Sequence, residues 1–156
     1  MSRFHFQLET LLRIREQACE KALATYARAL HARVLAESNL LQEEQALGRL
    51  QDTVVDARAG GMRGPFLHSY NDGILVAEEK LKRLQQSCEA LRKEETRCRE
   101  DYLARKREVD GLLRLKDKRM LDHRKLELKK EELANERPGL CRAPFLPRDS
   151  LGTHVT

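Results

Sequence analysis

Five histidines (His5, His31, His68, His123, His154), four cysteines (Cys19, Cys88, Cys98, Cys141) and 25 carboxylates are the side chains here that could hold a metal or move a proton. A metal site on a helix needs its ligands three or four positions apart, on one face. None of the histidines has companions at that spacing that complete a set, and no Cys-x-x-Cys pair occurs. The glycine-rich stretch Gly60-Gly61-Met62-Arg63-Gly64 lacks the lysine and following hydroxyl of a phosphate-binding loop, so it reads as a connecting turn. A catalytic carboxylate needs a pocket to shift its proton affinity, and nothing in the sequence suggests one. The sequence therefore predicts no enzyme, no catalytic residue, no cofactor, no metal and no small-molecule substrate. What remains is surface chemistry, recognition through charge and apolar anchors.

The elements that would carry such a surface are long helices. Charged residues make up 35% of the chain, aromatics 4%, and there is no Trp, so no thick core can be filled. Ala, Glu, Lys, Leu and Arg dominate, the composition of long helices and coiled coils. Residues 5–58 contain no proline and one glycine, Gly48, and can form one helix of about 80 Å at 1.5 Å per residue. A repeat of seven runs through them: Leu12, Cys19, Tyr26, Arg33, Leu40, Leu47, Val54, with a companion set Leu8, Arg15, Ala22, Ala29, Ala36, Glu43, Leu50, Ala57. A mostly apolar stripe held this long faces a partner helix. Glycines and Pro65 then interrupt the chain, since glycine ends helices and proline suits the first position of the next. The second stripe reads Leu67, Ile74, Leu81, Cys88, Glu95, Tyr102, Val109, with Tyr70, Ala77, Leu84, Leu91, Cys98, Arg105, Leu112 beside it, and it thins after Val109.

The expected fold is all-α, a long two-helix antiparallel coiled coil over residues 4–137. It comprises a helix over 5–58, a turn over 59–64 and a helix over 65–136. Pro138, Gly139, Pro144 and Pro147 predict a flexible, disordered tail over 138–156.

Net charge is +5 and the isoelectric point about 9.2, with the whole surplus after Ala59 and its densest part in 105–130. Such a run favours acidic partners. A nucleic-acid-binding or generic scaffolding coiled coil is the alternative reading. Nucleic acid is not the expected partner, because acids interleave the run and stacking aromatics are scarce. The widely spaced cysteines read as reduced thiols. No run of about 20 apolar residues occurs, and the N-terminus is not of secretory type, so a soluble cytoplasmic protein is expected.

Two apolar clusters exceed what one seam absorbs. Phe4, Phe6, Leu8, Leu11, Leu12 and Ile14 stand at the N-terminus, and neighbours on a helix point apart. Phe66, Leu67, Tyr70, Ile74 and Leu75 stand after the turn.

The opening Phe4-His5-Phe6-Gln7-Leu8-Glu9-Thr10-Leu11-Leu12-Arg13-Ile14-Arg15-Glu16 resembles the start of the flagellar export protein FliJ family, which is related to the stalk proteins of injectisome type III secretion. The glycine-rich break, Tyr70 before Ile74 and Leu81, and the ending Lys129-Lys130-Glu131-Glu132-Leu133-Ala134 follow in the same order. The resemblance implies a non-enzymatic stalk that binds a hexameric export ATPase, reaches the membrane export gate protein and handles export chaperones. It would then sit at the cytoplasmic face of the inner membrane. Carried over by position, Phe6, Leu8, Leu12, Arg13, Arg15, Lys129, Lys130 and Leu133 mark the ATPase end. Tyr70, Ile74 and Ala77 mark the gate-facing region, where Gly73 replaces a larger residue.

Overall fold

A computed structural model of the chain describes residues 2–140. Two helices account for nearly all of them, α1 over Glu9–Ala59 and α2 over Pro65–Leu140, and they lie antiparallel against each other. The expected all-α hairpin is the observed fold. No strand occurs among the described residues.

Helix propensity alone holds such segments weakly in water, so pairing must supply the stability. The heptad stripes do this. Leu12, Ala22, Leu47 and Val54 of α1 and Cys88, Cys98 and Val109 of α2 are buried, and nearly every other stripe residue is half-buried. Each large aliphatic side chain removed from water contributes roughly 1.5–3 kcal/mol. Tyr26 and Tyr102 stack in parallel planes with ring centroids 6.2 Å apart. The middle of the seam is polar: Arg33 pairs with Glu37 at 2.8 Å and with Glu95 across the interface, and Lys80 reaches Glu43 at 2.9 Å.

The turn follows from glycine. Gly61 (φ 84°) and Gly64 (φ 80°) adopt the left-handed conformation that L side chains avoid. The Met62 N–H donates to the Ala57 carbonyl at 3.0 Å and the Gly61 N–H to Arg58 at 3.1 Å, which closes the end of α1 as a Schellman motif. Pro65 opens α2, and the His68 N–H completes its first turn to the Gly64 carbonyl.

Both outer ends depart from the sequence expectation. The first helix begins at Glu9, not at residue 5. Residues 2–6 are not helical, and residues 7–8 form a turn that leads into α1. Phe4, Phe6 and Leu8 can then all meet α2, which a helix would forbid. At the other end α2 continues through Pro138 and Gly139 to Leu140, beyond the expected stop at residue 136. A proline's fixed φ is itself helical, and in a last turn it removes only one backbone bond. The rest of the expected flexible tail lies outside the described residues.

Candidate partner-binding site

The N-terminal segment is fastened to the later part of α2 at one tip of the rod. The Ser2 hydroxyl donates to Glu127 at 2.6 Å, and His123 Nε2 lies 3.2 Å from the Ser2 carbonyl. Phe4 packs on the His123 ring at a centroid distance of 5.6 Å. Phe6 is buried beneath Lys116 and Arg119, whose charged groups stand 6.0 and 5.8 Å from its ring centre. A cation over an aromatic face is attracted by the ring quadrupole, so the two bases complete the pocket that the apolar stripe leaves open. Lys116 also pairs with Glu9 at 2.9 Å, and Arg15 with Glu108 at 3.1 Å. The Ser2 hydroxyl, and after it Lys130, hold the Glu127 carboxyl below the usual glutamate range.

Past Glu127, α2 has no partner among the described residues. Its last stretch is roughly 20 Å long. Leu128 and Leu133 are 58% and 60% exposed, and Lys129 and Lys130 point into solvent beside them. Phe4, Met120 and Leu128 line an open notch where the N-terminal segment ends, with Arg124 and Glu131 at its rim.

The residues expected at the ATPase end divide into two groups. Phe6 (4% exposed) and Leu12 (2%) are seam residues, and Leu8 is half-buried, so they hold the tip together. Arg13, Arg15, Lys129, Lys130 and Leu133 are exposed, with Arg15 and Lys130 already ion-paired within the chain. They do not form one compact patch. Leu12, adjoining Arg13, packs in a cluster with Val109 and Leu112, and Lys129 stands roughly 25 Å farther along α2.

Tyr70, Ile74 and Ala77, expected to face a gate, are half-buried on the α2 stripe toward α1. A Cβ on Gly73 would touch Leu50 at 3.9 Å, ordinary contact, so glycine is not required there by space. Apolar side chains open to solvent near the hinge include Phe66, Leu75 and Val76 of α2, each more than 60% exposed.

Ser2, Lys116, Arg119, His123 and Glu127 were not singled out in the sequence as tip residues. The readable signal was the two-residue alternation of Phe4, Phe6 and Leu8, which is not a helical spacing.

The family model described as Flagellar FliJ protein matches residues 4–135, most of the chain. The chain belongs to the flagellar FliJ protein family. The resemblance read from residues 4–16 and the order of the later matches is borne out. No curated protein and no solved structure matches the chain. Membership makes it a component of flagellar export, in a family that is not catalytic. The FliJ-type hairpin seen here contains no helix long and apolar enough to cross a membrane, and no group of three metal-binding side chains, among the described residues.

Proposed function

We propose that the chain is the stalk that couples a hexameric export ATPase to the membrane export gate, and that it engages export chaperones along the way. The observation that carries this reading is the tip. Ser2 and Glu127, 125 positions apart, are hydrogen-bonded, and α2 projects beyond them with Lys129, Lys130 and Leu133 exposed. A ring with a central opening can receive a narrow tip of paired helices but not a broad domain. Exposed cations and a few leucines allow contact without the large apolar patch that would bind too firmly. Arg13 and Arg15 stand farther along the rod on different sides of α1, with Arg15 turned toward Glu108. ATP chemistry belongs to the partner, and the chain supplies length, stiffness and contacts. The distant hinge, with Tyr70, Ile74 and Ala77 behind Phe66, Leu75 and Val76, is the end that would face the gate at the inner membrane.

The test is binding and ATPase rate with the purified export ATPase. The wild-type chain should bind the hexamer and change its rate. Lys129→Glu with Lys130→Glu and Leu133→Ser should lose both effects while the helical signal stays intact, because all three side chains are exposed. An ATPase that neither binds the wild-type chain nor responds to it would overturn the proposal.

A further inference from the structure

A heptad repeat sets two of every seven residues against one partner helix, and α1 carries a second such set that α2 leaves largely open, with Leu30 half-buried and Glu37 bonded to Arg92. Leu23, Ala27, Leu30, Val34, Leu41 and Val55 follow steps of four, three, four, seven and fourteen, with Glu37, Glu44, Gly48 and Gln51 in the intervening positions. This stripe lies roughly 100° around the axis from the stripe of Leu12, Leu47 and Val54. Leu23 is 45% exposed, Val34 51%, Leu41 54% and Val55 64%. Its length is about 48 Å at 1.5 Å per residue.

The chemistry of the stripe limits what can cover it. Three-and-four spacing suits a helix seam and a lipid surface alike, so the flanking residues decide between them. A membrane-binding face would also carry Lys and Arg beside its apolar side chains. Here the neighbouring outer positions Ala24, His31, Ser38 and Gln45 hold neither, in a chain that is 35% charged. The positions beside the stripe thus lack the basic rim that an anionic lipid surface would need. The charges within the stripe and at its adjoining outer positions are acidic. Glu37 is held by Arg33 and Arg92, whereas Glu44 and Asp52 are exposed and form no ion pair among the described residues. A second copy paired stripe to stripe would bring acid near acid. A helix bearing Lys or Arg beside its own apolar seam would not.

We propose that the face of α1 over residues 23–55 docks a third helix, contributed by another protein, whose apolar heptad seam is flanked by Lys or Arg. The inference goes beyond the stalk reading and uses the flank of the rod rather than its tip, so either can fail alone.

Fluorescence anisotropy with the full chain tests it, using two synthetic helical peptides of about four heptads that share one leucine seam. One peptide is flanked by Lys and the other by Glu. The Lys-flanked peptide should bind, and Val34→Ser with Leu41→Ser should weaken it by roughly tenfold or more. Glu44→Lys with Asp52→Lys should reverse the preference between the peptides. All these side chains are exposed, so the melting curve of each variant reports that the hairpin persists. Equal binding of both peptides, or binding indifferent to Val34 and Leu41, would overturn the proposal. So would a dimer in sedimentation that the same serine substitutions dissolve, or capture of anionic lipid vesicles by the wild-type stripe.

Discussion

Arg33 of α1 and Glu95 of α2 occupy equivalent heptad positions on their helices and form an ion pair across the seam. Glu37 joins them, accepting from Arg33 and from Arg92, each at 2.8 Å. The flanking stripe residues Ala29 and Ala36 are small, so this central stretch is held by charge more than by apolar bulk.

A half-buried ion pair contributes less to stability than to alignment, since desolvation offsets attraction. Replacing both partners, Arg33→Leu with Glu95→Leu, should leave the melting temperature equal or higher. Glu95→Leu alone should lower it, because Arg33 then loses its cross-helix partner. Circular dichroism melts of the three proteins decide this, and sedimentation shows whether the double variant also begins to pair in other registers.

The apolar tip should respond to truncation in proportion to burial. Leu12→Ala removes a side chain that is 2% exposed and should cost about 2–5 kcal/mol in urea unfolding. Its neighbour Leu11, 38% exposed, should cost under about 1 kcal/mol when changed to alanine. Equal losses at the two positions would contradict the seam described.

The N-terminal segment should protect α2. Phe6→Ala empties the site beneath Lys116 and Arg119 and should free residues 2–8. Hydrogen exchange at amides of 112–127 should then rise while residues 81–98 stay unchanged. Protection that is unaltered around His123 would mean that the segment contributes no closure.

Acid should loosen the rod at two places. Glu37 is held below the ordinary glutamate value by Arg92 first and by Arg33, and Glu127 by the Ser2 hydroxyl first and by Lys130. A carboxyl whose folded value is depressed stabilises the fold above its unfolded value of about 4.3. That contribution fades as pH falls through the lowered folded value. The melting temperature should thus be level from pH 7 to about 5 and fall below about 4. Glu37→Gln should flatten part of that fall, and a wild-type melt independent of pH down to 3 would refute the assignment.

Thiol reactivity should follow burial as well. Cys88 and Cys98 are 2% and 3% exposed, and burial, with a smaller contribution from Glu94, pushes the Cys98 thiol up. Burial hides both sulfurs, and the raised value leaves Cys98 less thiolate at pH 8, so alkylation of these two should be slow in the native protein and rapid in urea. Cys19, half-buried, should label faster than either when tryptic peptides are compared by mass.

Much of the fold was legible because a heptad is a one-dimensional signal. Leu12, Tyr26, Leu47 and Val54 declare one face of a helix by spacing alone, and Gly61, Gly64 and Pro65 declare where the chain must reverse. Family membership was legible for a related reason, since order and spacing survive in a linear text. The ends were not legible. Whether residues 2–8 join the helix or stay outside it depends on what α2 offers opposite them, and only Lys116, Arg119, His123 and Glu127, more than a hundred positions away, supply the answer. The same holds for the surfaces. Two apolar stripes are written along α1, and the letters do not say which one α2 will cover. Only the packed hairpin decided that the stripe of Leu12 and Val54 is closed and the stripe of Val34 and Leu41 is open, because burial is a property of pairs of elements and periodicity a property of one.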